Sequence, residues 1–251
     1  MFASGVSVPE EARDGGNQVK RFVKLGVFSV VIVVIAGLLG LVIDAPLFGF
    51  SPLESEYANR MLNYQLSALP VVGLALLVTF VFAGKVRLRY LNLHRTGAMR
   101  PFFAQPGGGR WESDGWFLGL MMVAIVATVT FFQFLPGGFT FRWAHLALVL
   151  PLAAMNAFTE ETIFRLPFVT MGENDTSSRT YGLLMGSVVF GAYHYGGIAP
   201  NGVVGATMSA FLGFVLAKSM QETRGFFWAF VIHVALDIPI LIFALNQTPS
   251  P

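Results

Sequence analysis

Residues 143–168 read WAHLALVLPLAAMNAFTEETIFRLPF, an apolar run long enough to cross about 30 Å of hydrocarbon. Glu160, Glu161 and Arg165 sit inside it. Each such charge costs about 2.5–3.5 kcal/mol at the centre of a membrane helix even on insertion scales, so the three need partners or a chemical role. Later apolar segments supply candidates in His194, His233 and Asp237. The pattern predicts a polar site built inside the bilayer.

Further apolar segments lie at about 25–43, 66–84, 116–135, 181–199, 202–217 and 226–245, each read by length against the hydrocarbon thickness. The expected fold is therefore all-α: a polytopic transmembrane helix bundle with about seven spanning helices, the short sixth segment setting a range of six to eight. Composition agrees, since 55% of the 251 residues are hydrophobic, 12% are charged and 25 are Phe, against about 25% charged in soluble domains. The Lys and Arg residues gather at the N-terminus, in 85–115, and at Arg179, Lys218 and Arg224, leaving Arg60 and Arg142 opposite. The positive-inside rule then places the N-terminus in the cytoplasm and, with an odd helix count, the C-terminus outside. The same placement accounts for the pI near 9.0 without a nucleic-acid partner. The absence of cysteine excludes disulfides, thiolate metal sites and a cysteine nucleophile.

Three parts are expected. Residues 1–24 form a polar cytoplasmic tail, unstructured up to the first helix. Residues 25–135 supply scaffolding helices, with no ionisable residue at 26–43 or 66–84 and a basic cytoplasmic loop at 85–115, Gly-rich at Gly107-Gly108-Gly109, where Trp111, Trp116 and Phe117 can anchor at the headgroups. Residues 143–245 hold the chemistry. His94 and His145 read as interfacial.

Helical residues four apart share a face. Glu161 and Arg165 therefore pair within their own helix, while Glu160 points about 100° away without a local partner. A carboxylate out of water and unpaired is a competent base near neutral pH, which makes Glu160 the candidate general base and Glu161 with Arg165 its support. Gly182, Gly186, Phe190 and His194 fall on one stripe, and small residues there let a neighbouring helix come close. Phe190 then walls His194 from lipid. His233 and Asp237 also share a face, so Asp237 can fix the ring or complete the site. Depth is the difficulty: at about 1.5 Å per residue, Glu160 and His233 lie roughly 10–13 Å from the cytoplasmic end and His194 nearer 20 Å. A tilted or shifted fifth helix, or an early end at Tyr195-Gly196-Gly197, would reconcile them.

Glu160-Glu161-x-x-x-Arg165, Phe190-x-x-x-His194 and His233-x-x-x-Asp237 resemble, in order and spacing, the three motifs of the CPBP family of CAAX proteases and bacteriocin-processing proteases, also called Abi, which includes type II CAAX prenyl endopeptidases. The resemblance covers about residues 143–245. It implies an intramembrane endopeptidase, usually classed as a metalloprotease, with a cavity open to the cytoplasm and a membrane-tethered peptide or lipid-anchored protein as substrate. Glu160 and His194 would activate water, and His233 with Asp237 would stabilise the oxyanion or help bind a metal. Many prenyl-processing members have Asn where this chain has Asp237; a carboxylate cannot donate the amide hydrogen bond, which favours metal binding or orientation of His233. That variant and the short chain suggest a bacterial-type member, in the cell membrane. Glu160, His194 and His233 can provide three Zn2+ ligands with water in the fourth position, but no His-Glu-x-x-His element demands zinc, so zinc and a metal-free glutamate mechanism both stay open. The rival readings are a non-catalytic membrane scaffold or bacteriocin-immunity type protein that binds a partner helix, and a proton-coupled transporter.

Overall fold

A computed structural model of the protein describes residues 10–84, 88–100, 108–174, 176–197 and 200–247. Lys85, Arg87, Gly107 and the first nine residues of the tail lie outside them. The described chain is almost wholly helical: α1 (Glu10–Asp44), α2 (Glu56–Phe82), α3 (Trp111–Phe134), α4 (Trp143–Phe164), the short α5 (Leu166–Met171), α6 (Thr176–Tyr193), α7 (Gly202–Thr223) and α8 (Phe227–Leu245). A two-residue antiparallel pair, β1 (Ala98–Met99) with β2 (Gly109–Arg110), leads into α3. Six spans are long and apolar enough to cross a membrane: α1 from Gln18, α2, α3 with its last turn, α4 continued into α5, α7 and α8. Helix α6 is the seventh long helix and falls outside that set.

Two faces explain why these segments form one bundle. Outward faces carry exposed Val30, Leu77, Phe117, Leu120, Leu150 and Val188, an apolar surface suited to lipid and not to water. Inward faces meet in two main clusters. Phe28, Ile32, Leu39, Val72, Phe164, Phe168 and Phe190 join α1, α2, α4, α5 and α6; Trp111, Leu118, Val215, Met220, Trp228 and Ile232 join α3, α7 and α8. Helix α8 packs against α3 and α4, and α7 against α6.

Two expectations change. Helix α1 begins at Glu10 and not near residue 25, because a spanning helix that is already nucleated extends into polar residues at little cost. Trp111 is no headgroup anchor: it is fully buried against Trp228, and its indole Nε1 donates to Glu222 at 2.8 Å. Only Trp116 and Phe117 are exposed. His145 is buried, and His94 reaches the Thr223 carbonyl oxygen through Nδ1 at 2.5 Å.

Candidate active site

Helix α4 delivers two adjacent carboxylates into the bundle and then breaks at once. Pro167 lacks the N–H that would bond to Ile163, so Arg165 becomes the junction between α4 and α5 at φ −117°, ψ −56°. Its own N–H still donates to Glu161 O at 3.2 Å, and its carbonyl accepts from Val169 N at 2.9 Å. Residues 159–172 are all buried.

The glycine stripe of α6 docks directly onto this junction. A Cβ at Gly182 would collide with Phe168 O, and one at Gly186 would lie 2.8 Å from Phe164 O. Only glycine lets the two backbones approach so closely. One further turn along, Phe190 is buried, and α6 ends at Tyr193, placing His194 at the start of a tight turn through Gly196. This early end, together with the close docking, resolves the depth difference.

Glu160 and both histidines meet at one point. Glu160 Oε2 lies 3.6 Å from His194 Nε2 and 3.4 Å from His233 Nε2, too long for direct hydrogen bonds and short enough for a water to lie among them. That oxygen is buried without a hydrogen-bond partner. The other ring nitrogens are engaged. His194 Nδ1 faces Phe190 O at 3.0 Å and His233 Nδ1 faces Glu161 Oε1 at 2.6 Å; both partners only accept, so each Nδ1 carries the hydrogen. Each Nε2 is thereby turned to Glu160.

Glu161 also pairs with Arg165 at 3.3 Å, both side chains fully buried. The guanidinium carbon stands 3.4 Å from the Phe190 ring centroid, and that ring in turn contacts His194, centroids 4.1 Å apart. Phe190 therefore joins the ion pair to the histidine. Asp237 Oδ1 is 3.7 Å from His233 Nε2, the free nitrogen, whereas Glu161 holds Nδ1. Ring orientation belongs to Glu161, and Asp237 completes the polar floor.

Two site residues escaped the reading of the sequence. Asn156, one turn before Glu160, donates through Nδ2 to Asp237 Oδ2 at 3.0 Å and accepts from Gln65 Nε2 at 3.0 Å. Gln65 is fully buried in α2, so that helix does more than scaffold. Both are uncharged amides, which a search for ionisable residues passes over; buried amides in apolar helices were the available signal.

The constellation forms the floor of a mostly apolar cavity of about 820 Å³, lined also by Tyr64, Met122, Tyr193, Phe211 and Leu241. The resemblance implied a cavity open to the cytoplasm, on the side of the basic loops. Besides Glu160, the cavity is lined by Ile43, Tyr57 and Arg60, at the helix ends away from those loops, and Trp111, Trp228 and Met220 pack together at the other ends. The donor set has the chemistry of a zinc site. As placed, however, no group of three or more His, Asp or Glu among the described residues converges to hold a metal ion.

No curated protein and no solved structure matches the chain. Residues 141–239, which carry Asn156, Glu160, Glu161, Arg165, Phe190, His194, His233 and Asp237, match the family model described as "Type II CAAX prenyl endopeptidase Rce1-like".

Proposed function

We propose that this integral membrane protein is an endopeptidase that hydrolyses a peptide bond in a membrane-anchored peptide or protein, with Glu160 as the base that activates water. The observation that carries the reading is the unpartnered Glu160 Oε2, faced by two histidine Nε2 atoms at 3.4 and 3.6 Å on the floor of a cavity large enough for a peptide segment.

A water seated among these atoms donates one hydrogen to Glu160 Oε2. As its oxygen attacks the scissile carbonyl carbon, that proton passes to Glu160, and the carbonyl electrons move onto the oxygen. A positioned base of this kind contributes about 10²–10⁴-fold. The oxyanion needs a donor aimed at it, and Nε2–H of His233 or His194, when either ring carries its second proton, is that donor. Collapse of the intermediate breaks the C–N bond, and Glu160 returns its proton to the leaving amine. Glu161 keeps His233 oriented, and Arg165 balances the Glu161 charge.

Zinc at this centre is a further proposal, resting on donor chemistry: Glu160, His194 and His233 would hold it, and it would supply a Lewis acid and a more acidic water. None of the steps above uses it. Membership of a bacterial-type group is a further proposal, resting on Asp237.

The test is cleavage of fluorogenic, membrane-anchored peptides in detergent or liposomes by the wild type and by Glu160→Ala, His194→Ala and His233→Ala, with and without chelator. Loss in all three establishes the hydrolase, and loss on chelation with recovery on adding zinc assigns the metal. Folded wild type that is inert across a broad peptide library removes the reading and leaves a partner-binding scaffold.

A further inference from the structure

The cavity has a direction, and the charges of the chain give that direction a side. Towards the basic end, the middle of α1 meets the end of α2 and α5 through Phe28, Phe82 and Phe168. Arg89 reaches Glu173, before α6, at 3.4 Å, and Gln221 of α7 donates to Arg179 O at 3.2 Å. The cations that the sequence assigns to the cytoplasm among these elements therefore share one end of the bundle.

That end is closed among the described residues. The connection through 88–100 lies across it: Phe226 N donates to Asn92 O at 2.7 Å, Trp228 Nε1 to Arg95 O at 2.7 Å, and Asn92 Nδ2 to Arg224 O at 2.9 Å. Gly225 lies so near His94 that a Cβ there would collide with its carbonyl oxygen. Beneath the connection, Trp111 and Trp228 are fully buried.

At the opposite end, among the described residues, the cavity meets a second cleft. Tyr57 and Arg60 of α2, roughly 30 Å or more along that helix from its basic end, line the cavity and also line this cleft of about 470 Å³. Glu54, Glu56, Arg142 and His145 line that cleft. A cleft of such composition suits headgroups and water and not acyl chains, and hydrolysis needs a supply of water. The polar cleft thus adjoins the apolar cavity that holds Glu160, with Tyr57 and Arg60 bordering both.

We propose that the site is reached from the extracytoplasmic face, and that its substrate is a membrane-tethered peptide whose tether lies in the outer leaflet, its polar stretch in the cleft and its apolar stretch in the cavity. The positive-inside rule supplies the side; the lining residues supply the direction. The identity of the occupant rests on the endopeptidase reading, whereas the side does not.

The cysteine-free chain makes the side measurable. Single cysteines at Glu54→Cys in the cleft, Met61→Cys and Ile43→Cys in the cavity, and Arg95→Cys in the connection would be exposed to a membrane-impermeant maleimide on intact cells and after permeabilisation. Folding would be checked by monodisperse elution, and the two cavity positions back each other up. The expected result is labelling of Glu54→Cys and at least one cavity cysteine on intact cells, and of Arg95→Cys only after permeabilisation. Labelling of Arg95→Cys on intact cells, or of the cavity cysteines only after permeabilisation, overturns the proposal. Labelling does not depend on turnover, so an inert enzyme would sink the endopeptidase reading without touching this result.

Discussion

His233 is held by Glu161 and not by Asp237: Nδ1–H donates to Glu161 Oε1 at 2.6 Å, while Asp237 Oδ1 stands 3.7 Å from the other nitrogen. One carboxylate therefore serves two partners on different elements, since Arg165 meets the same Oε1 at 3.3 Å. The residue next to the candidate base is the hub of the site.

Replacing that hub should cost stability first. Glu161→Gln leaves Arg165 buried without its counter-charge, a loss of about 3–5 kcal/mol by comparison with other broken buried pairs. Thermal unfolding in detergent should show a large drop in Tm. Adding Arg165→Met should restore much of the Tm but not the cleavage rate, because His233 is still without its carboxylate.

The reverse holds for Glu160. Its Oε2 makes no hydrogen bond, so Glu160→Gln should leave the Tm unchanged or raised. The cleavage rate should fall by about 10²-fold or more, the contribution of a positioned base. A variant that retains activity within a few-fold would remove Glu160 from the chemistry.

Asn156 and Gln65 form a chain of amides behind Asp237. Asn156→Ala leaves a buried carboxylate oxygen and the Gln65 amide without partners, at a cost of about 1–3 kcal/mol each. Gln65→Ala lies outside the matched segment 141–239 and removes only the more distant of the two bonds. Tm and kcat should both fall, more for Asn156→Ala than for Gln65→Ala, with KM little changed. A rise in KM alone would place the chain in substrate binding.

Close docking of α6 brings His194 to Glu160. Gly186→Val would drive a side chain against Phe164 O, 2.8 Å from the Cβ position, and overpacking of this kind costs about 1–3 kcal/mol. Because α6 must shift to relieve it, activity should fall far more than the Tm implies. Gly196→Ala, whose Cβ position has open space, is the control and should behave as wild type.

The sequence located the buried charges of the bundle because that part of the problem is local. Charges in apolar runs are costly wherever the helices pack, and the spacings Glu161–Arg165, Phe190–His194 and His233–Asp237 fix which residues share a helical face. Glu161 with Arg165 and His233 with Asp237 met as read, at 3.3 and 3.7 Å, but the hydrogen bond that holds His233 comes from Glu161 on another helix, and a partner across a helix interface depends on approach and rotation. The same limit hid Gln65, on a helix read as scaffold, and Trp111, read as an anchor at the surface.

By itself, the sequence determined an all-helical membrane protein and the residues able to do chemistry in it, since composition and helical periodicity are properties of the chain alone. Tertiary structure decided which atoms face one another: Glu161 on His233, two Nε2 atoms on Glu160, Asn156 between Gln65 and Asp237. It also decided what lines the cavity and what packs at the basic end, where Trp111, Trp228 and the connection through 88–100 come together. Such relations arise from packing between segments far apart in the chain, and no periodicity within a single helix encodes them.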